Sequence, residues 1–323
     1  LPLIACLDGS YRSAAEVYLS RAAMTLLGNA IHVAEPAESK AVQALYRWLG
    51  VRQQPAPADL VAALLTISRL QPAPPAPLDA ATLRRVQEIW QRLSELPPAD
   101  PATADLLAPL QGQPVIANSR GVLTPPARLF LADQPELAAR FRALTDPAAQ
   151  EILLDLPPTL AQILRVVGVR PLSEAAALSI HTGGRPIEDA ALTARIHERQ
   201  PLIARLLQAE TAVNQPPLSA DWLNTLQVQR AARLEVQYHL PLTATEALST
   251  MPEEVEARLL GATAVLYVQG EEAAVPWTAV ARELAQALRP THPPGALALG
   301  IKELLAAATF QAAAQILTDL GYN

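Results

Sequence analysis

One cysteine, two lysines and 4% aromatic residues are what this 323-residue chain has least of. A single thiol, Cys6, excludes a disulfide framework and any cysteine-rich metal site. Basic charge is carried almost wholly by arginine, and the net charge is −6. That balance argues against a dominant nucleic-acid surface, which needs a cationic excess. Long apolar runs are missing as well. Residues 60–67 are typical of the longest, far short of the ~18–20 residues a membrane span needs. The chain does not open on methionine, and Asp8 ends the first apolar stretch too early for a signal peptide. It reads as a cytoplasmic piece of something longer. What it holds in quantity is hydrophobic residues, at 50%, and 30 prolines. That is core material enough for two or three ordered domains.

An internal repeat is the main organising feature. Near the start stand Leu3-Ile4-Ala5, Asp8-Gly9 and then Glu16-Val17-Tyr18-Leu19. The pattern returns as Val115-Ile116-Ala117, Arg120-Gly121 and Arg128-Leu129-Phe130-Leu131. Each copy predicts a short strand, a glycine turn and a second short strand at residues 17–19 or 129–131. Each then leads into a helix stopped by glycine. One ends Tyr46-Arg47-Trp48-Leu49-Gly50-Val51-Arg52, the other Leu164-Arg165-Val166-Val167-Gly168-Val169-Arg170. Glycine just past a periodic apolar helix takes the left-handed conformation at low cost, and the next valine folds back onto the last turn. Leu317-Thr318-Asp319-Leu320-Gly321 is a third version of the joint.

A further echo, Ala104-Asp105-Leu106-Leu107 against Ala220-Asp221-Trp222-Leu223, marks the approach to the second and third units. The expected organisation is therefore three related units at 1–110, 111–217 and a divergent 218–323. In the last, residues 226–230 and 233–239 are expected to pair as strands, with a third strand at 263–268. Elsewhere helices are expected. Leu83, Val86, Ile89, Trp90 and Leu93 form an apolar stripe behind Asp79, a suitable N-cap. Val280, Leu284 and Leu288 repeat that spacing, and Pro201 should split or kink a helix over 187–210. Gln71-Pro72-Ala73-Pro74-Pro75-Ala76-Pro77 predicts a stiff connector; 97–101, 215–217 and 290–294 look like further boundaries. The fold class is α+β and mostly helical, each unit a short hairpin or small antiparallel sheet followed by helices.

Chemistry is harder to find. His32, His181, His197, His239 and His292 are scattered, without the spacing of a helical zinc site. No nucleophile elbow or phosphate loop is present, and Gly183-Gly184 lacks the residues that would make it one. Cys6 falls in a strand and reads as a small buried hydrophobe. Glu151 and Asp155 would share a solvated helix face. Arg84, Arg85 and Arg92 alternate with Glu88 and Glu95, the composition of surface ion pairs. Trp48, Trp90, Trp222 and Trp277 occupy apolar helical positions and read as core anchors. No catalytic, cofactor-binding or metal-ligating residue is assigned, and no cofactor is expected.

The two openings, the spacer Asp133-Gln134-Pro135-Glu136-Leu137 and above all residues 164–175 resemble a recurring region of sacsin-like and NO VEIN-like proteins. Those large bacterial and eukaryotic proteins carry a gyrase, histidine-kinase and MutL-type ATPase followed by long repeats. The Glu-x-x-x-Asn and Asp-x-Gly-x-Gly signatures of that ATPase do not occur here. The resemblance implies a non-catalytic repeat or scaffold segment, chaperone-like or defence-related. Its partner would be protein, either its own upstream ATPase domain or a client. Two other readings stand beside it. One is a helical module of a bacterial defence-type protein touching nucleic acid through arginine. The other is an enzyme whose site is the 181–185 loop.

Overall fold

The computed structural model describes residues 3–19, 21–28, 31–35, 39–209, 219–243, 245–261, 263–270, 274–289, 294–319 and 321. The chain is α+β with helix predominant, 49% helical and 20% strand. Its contacts divide it into two compact units, residues 1–177 with 240–248, and residues 178–239 with 249–323. The first unit holds both of the clearest sequence copies. The boundary expected near residue 217 lies outside the described residues.

Proline sets many of the helix starts. Pro57, Pro101, Pro135, Pro147 and Pro158 each open a helix. At the first helical position the missing N–H has no intrahelical partner to lose, and the fixed φ is already helical.

In the first unit the two copies share one order of strands and turns. Strands Leu3–Ala5 and Tyr11–Ser13 form a hairpin, with Ile4 opposite Arg12 and Ala5 opposite Tyr11. Strands Ile116–Ala117 and Leu123–Thr124 form its counterpart, in the same register. At each tip a backbone bond closes the glycine turn, Gly9 N–H to Cys6 O and Gly121 N–H to Asn118 O, both 2.9 Å. Both glycines have positive φ, 76° and 75°. A 3-10 turn follows in each copy, Ala14–Glu16 or Pro126–Arg128. The apolar segment after it is not the hairpin partner that sequence spacing suggests. Val17–Tyr18 instead runs parallel to His32–Val33, and Phe130–Leu131 runs parallel to Leu153–Leu154. One helix, Arg21–Leu27, separates the first parallel pair and two, Pro135–Arg142 and Pro147–Glu151, the second, as such crossovers require.

The glycine joints close both copies. Helices Lys40–Trp48 and Pro158–Val166 are nine residues each. Gly50 and Gly168 follow at φ 88° and 105°, and Gly321 follows the last helix at 84°. Val51 N–H reaches back to Tyr46 O at 2.9 Å and Val169 N–H to Leu164 O at 3.0 Å, so the valine return has the same form twice. The chain then bridges in parallel to the first strand, Arg52 beside Tyr18 and Arg170 beside Phe130. Each arginine stacks over its aromatic partner, 5.8 Å and 5.0 Å from the ring centre. A recurring Gly-Val-Arg is thus a recurring cap, core contact and cation–π pair.

Between the copies lie helices Pro57–Arg69 and Ala80–Leu93, joined by the extended proline connector. Asp79 caps the second, accepting from the N–H groups of Ala81 and Thr82. Its buried stripe of Val86, Ile89, Trp90 and Leu93 joins residues of both copies in one core, from Leu26 to Ile163 and Val167.

The second unit has its own core. Strands Gln227–Ala231 and Val265–Gln269 pair in parallel, with Ile187–Glu188 and Ala257–Leu260 at the edges. Helices Ala190–Ala209, Trp277–Leu288, Gly295–Ala306 and Phe310–Asp319 supply Ile196, Leu284, Ile301 and Leu317 to it. Gly300 admits close helix packing, because a Cβ there would meet Leu206 at 2.6 Å. Gln227–Ala231 and Leu234–Pro241 belong to different sheets, contrary to the expected pairing. Leu234 onward alternates buried and half-buried residues, which marks a strand with its own interior face rather than a hairpin return. The 220–223 echo lies at a 3-10 turn, Asp221–Thr225, where residues 104–107 are helical. Pro201 leaves Ala190–Ala209 one continuous helix, and that helix starts at 190 because Asp189 caps it and 187–188 are strand.

Candidate docking face

Helix Lys40–Trp48 starts where Ser39 Oγ accepts the Val42 N–H. Its two long sides meet very different surroundings. Tyr46 and Leu49 rest on the small core of Ile4, Cys6, Val17 and Val51. Val42, Leu45 and Trp48, spaced three apart on the other side, are 37%, 48% and 81% exposed. Trp48 is therefore a surface residue, not the core anchor its helical spacing suggests. Periodicity reveals an apolar face; it does not reveal what covers that face.

The other tryptophans lie deeper. Trp90 is 4% exposed and donates its indole N–H to Val115 O at 2.9 Å. Trp222 and Trp277 border the second core, and Arg195 stacks 5.4 Å over Trp277.

Superimposing the copies by their glycine joints aligns residues 42, 45 and 48 with 160, 163 and 166. In the second copy the face is covered. Ile163 is fully buried, Leu160 and Val166 are partly buried against the main core, and this helix contacts Ala80–Leu93. The same framework therefore presents the same face twice, once buried and once open.

Cys6, Asp8 and His32 place a thiol, a carboxylate and an imidazole within 4.8 Å of one another, the one such trio among the described residues. Their bonds turn inward. Asp8 accepts from Ser10 N–H at 2.9 Å and Ser10 O–H at 2.7 Å, and meets His32 Nδ1 at 2.9 Å. The Ser10 hydroxyl and N–H, with His32, hold the exposed Asp8 carboxyl well below its ordinary range. Burial pushes the Cys6 thiol up, away from the thiolate a metal would need. The trio could offer three donors to a cation, yet as it stands it locks the hairpin tip to strand His32–Val33. Asn118, Arg120 and Ile152 occupy the corresponding places in the second copy, so no donor set is repeated.

The other candidates from sequence separate in space or become framework. Glu151 ends a short helix and pairs with Arg120 at 3.0 Å, while Asp155 lies beyond strand Leu153–Leu154 and pairs with Arg142 at 2.6 Å. They do not share a helix face, because the buried Leu153 and Leu154 pair with Phe130–Leu131 as strand. Arg92 pairs with Glu88 one turn away, whereas Arg85 is aimed inward and donates to Leu26 O. Residues 183–186 turn between strands Ala177–Thr182 and Ile187–Glu188. Gly183 lies against Arg233, its N–H on Arg233 O at 2.8 Å, so this glycine serves a close backbone approach. His239 meets Ser249 Oγ at 2.8 Å and His197 meets Leu226 O at 2.8 Å; His292 lies outside the described residues.

Two polar features were not foreseen. Tyr18 O–H donates to Asp59, which also takes Arg52 Nη1 at 3.0 Å and the Ala56 N–H at 2.9 Å. Asp59 is thus both a cap for helix Pro57–Arg69 and a tie to the first copy. Arg199 is 1% exposed beneath Phe310, 5.5 Å from the ring centre. Its Nη1 lies 2.9 Å from Glu198 Oε2 without the alignment of a hydrogen bond, and its Nε has no hydrogen-bond partner among the described residues.

No family model, curated protein or solved structure matches the chain. No helix among the described residues is long and apolar enough to cross a membrane.

Proposed function

We propose that this chain is a non-catalytic repeat segment of a larger, cytoplasmic sacsin-like protein, and that it works by contact with other protein surfaces. The observation that carries the reading is the open face of helix Lys40–Trp48 on a duplicated framework. What recurs between the copies is a cap, a valine return and an arginine–aromatic stack, all structural. What does not recur is any set of catalytic donors. An enzyme duplicated with its site would repeat polar groups; a scaffold repeats its joints and presents apolar surface. The partner surface is protein, belonging either to the same polypeptide, its ATPase domain included, or to a client.

Isothermal titration of the chain with Mg-ATP tests the non-catalytic part. A nucleotide's phosphates need backbone N–H groups at a helix start, clustered cations or a held magnesium. The expected result is no saturable heat. A dissociation constant below about 100 μM, roughly 5.5 kcal/mol of binding free energy, would overturn the reading.

A further inference from the structure

We propose that the Val42–Leu45–Trp48 face receives an amphipathic helix of the kind formed by Ala80–Leu93, supplied by a further repeat unit on the amino-terminal side of the same polypeptide. This rests on the scaffold reading above and names the occupant of its open face.

The internal repeat defines the site. Helix Ala80–Leu93 contacts Arg21–Leu27 of the first copy on one side, and Pro158–Val166 and strand Ile116–Ala117 of the second on the other. With Pro57–Arg69 and the short helix Pro101–Leu107 it makes up the helical segment that precedes the second copy in the chain. A unit thus consists of a helical segment followed by an α+β copy, and helix Ala80–Leu93 of that segment packs against the glycine-capped helix of the copy it precedes. The first copy has the same glycine-capped helix, at the same length and with the same apolar spacing. Its outward face is uncovered. In repeat arrays a terminal unit that caps the stack presents a polar outer face. This one presents valine, leucine and a largely exposed tryptophan. Such a face has the character of an internal joint, and the internal equivalent shows what fills it: a helix with apolar residues at the spacing of Val86, Ile89, Trp90 and Leu93. The helix of Ala80–Leu93 in a second copy of the chain is already buried in its own core, so a self-contact would have to use another surface.

The probe is a synthetic peptide of residues 55–96 carrying Trp90→Phe, titrated into the whole chain while tryptophan emission is followed. Burial of Trp48 should shift emission to the blue and saturate with a dissociation constant below about 100 μM. The double variant Val42→Asp/Leu45→Asp, which keeps Trp48 and has its fold checked by circular dichroism, should bind at least tenfold more weakly. Leu45→Ala, which adds no charge and keeps the Trp48 reporter, should show an intermediate loss. Absence of saturable binding overturns the proposal, as does binding that the double variant leaves unchanged. Sedimentation of the chain alone is the second arm. Self-association abolished by the double variant would make a second copy the occupant and also overturn the proposal. These outcomes are separate from the Mg-ATP titration. A chain that refuses the peptide but gives no heat with nucleotide loses the occupant and keeps the scaffold reading. Saturable heat with nucleotide removes the scaffold reading whatever the peptide does.

Discussion

Asp8 stands exposed at the tip of the first hairpin, yet three donors converge on its carboxylate. The acid is therefore stronger in the native state than in the unfolded chain, where its pKa is near the ordinary 3.8. A depressed carboxylate stabilises the fold above that unfolded value. As pH falls below about 4 the unfolded state takes up the proton first, and the contribution drains away toward the lower native value. Asp8→Asn cannot ionise, so its thermal midpoint between pH 5 and pH 2 should fall less steeply than that of the parent chain. Parallel curves would show that the carboxylate contributes nothing at the tip. Part of this was legible beforehand, because Asp-Gly between apolar residues signals a tight turn. The His32 partner was not, since it arrives 24 positions later on a strand of only two residues.

At the scale of elements, the two glycine-capped helices offer a paired comparison. Ile163 is fully buried and its counterpart Leu45 is 48% exposed. A carboxylate forced into the first site has no partner and should cost more than about 3 kcal/mol in urea unfolding. Leu45→Asp should stay within about 0.5 kcal/mol, the range of an ordinary surface change. Equal losses would mean that the face is covered within the chain itself, and the docking reading would fail with it. The contrast also shows which elements sequence reasoning could reach. Gly50, Gly168 and Gly321 were readable because a helix C-terminus demands a left-handed residue and glycine accepts it most cheaply. Helix Ala80–Leu93 was readable from its stripe and its aspartate cap. Strand Tyr11–Ser13 was not, because it is three residues long and neither Tyr11 nor Arg12 is buried, so no alternation marks it. Residues 17–19 looked like its substitute because they are the apolar ones nearby. Their parallel partners, His32–Val33 and Leu153–Leu154, are two residues each, too short to leave a period in the sequence. Nor could sequence show that Leu153 and Leu154 break the helix spacing that made Glu151 and Asp155 seem neighbours.

For the whole molecule, the two units gather around separate cores, one centred on Val86, Ile89 and Leu93, the other on Leu284, Ile301 and Leu304. Composition foretold ample core but not this division, because both halves are equally rich in leucine and alanine. Nothing in hydrophobic periodicity records which helices share an interior. The division has a consequence that hydrogen exchange can read. Leu93 is fully buried at the junction between the helical pair and the second copy, so Leu93→Ala removes packed methyl groups and opens a cavity worth about 2–5 kcal/mol. Residues in different core clusters share no cavity and should couple weakly. Amide protection should therefore drop across helices Pro57–Arg69, Ala80–Leu93 and Pro158–Val166, while Trp277–Leu288 and Gly295–Ala306 keep theirs. Local opening of that kind is how cooperative subunits of a fold show themselves under native conditions. The reciprocal variant, Leu284→Ala, should reverse the pattern. Should either substitution lower protection uniformly from residue 57 to residue 306, the chain would unfold as one cooperative body. The first unit could not then be treated as a self-supporting member of a repeat array, because its stability would depend on a core that the array does not repeat.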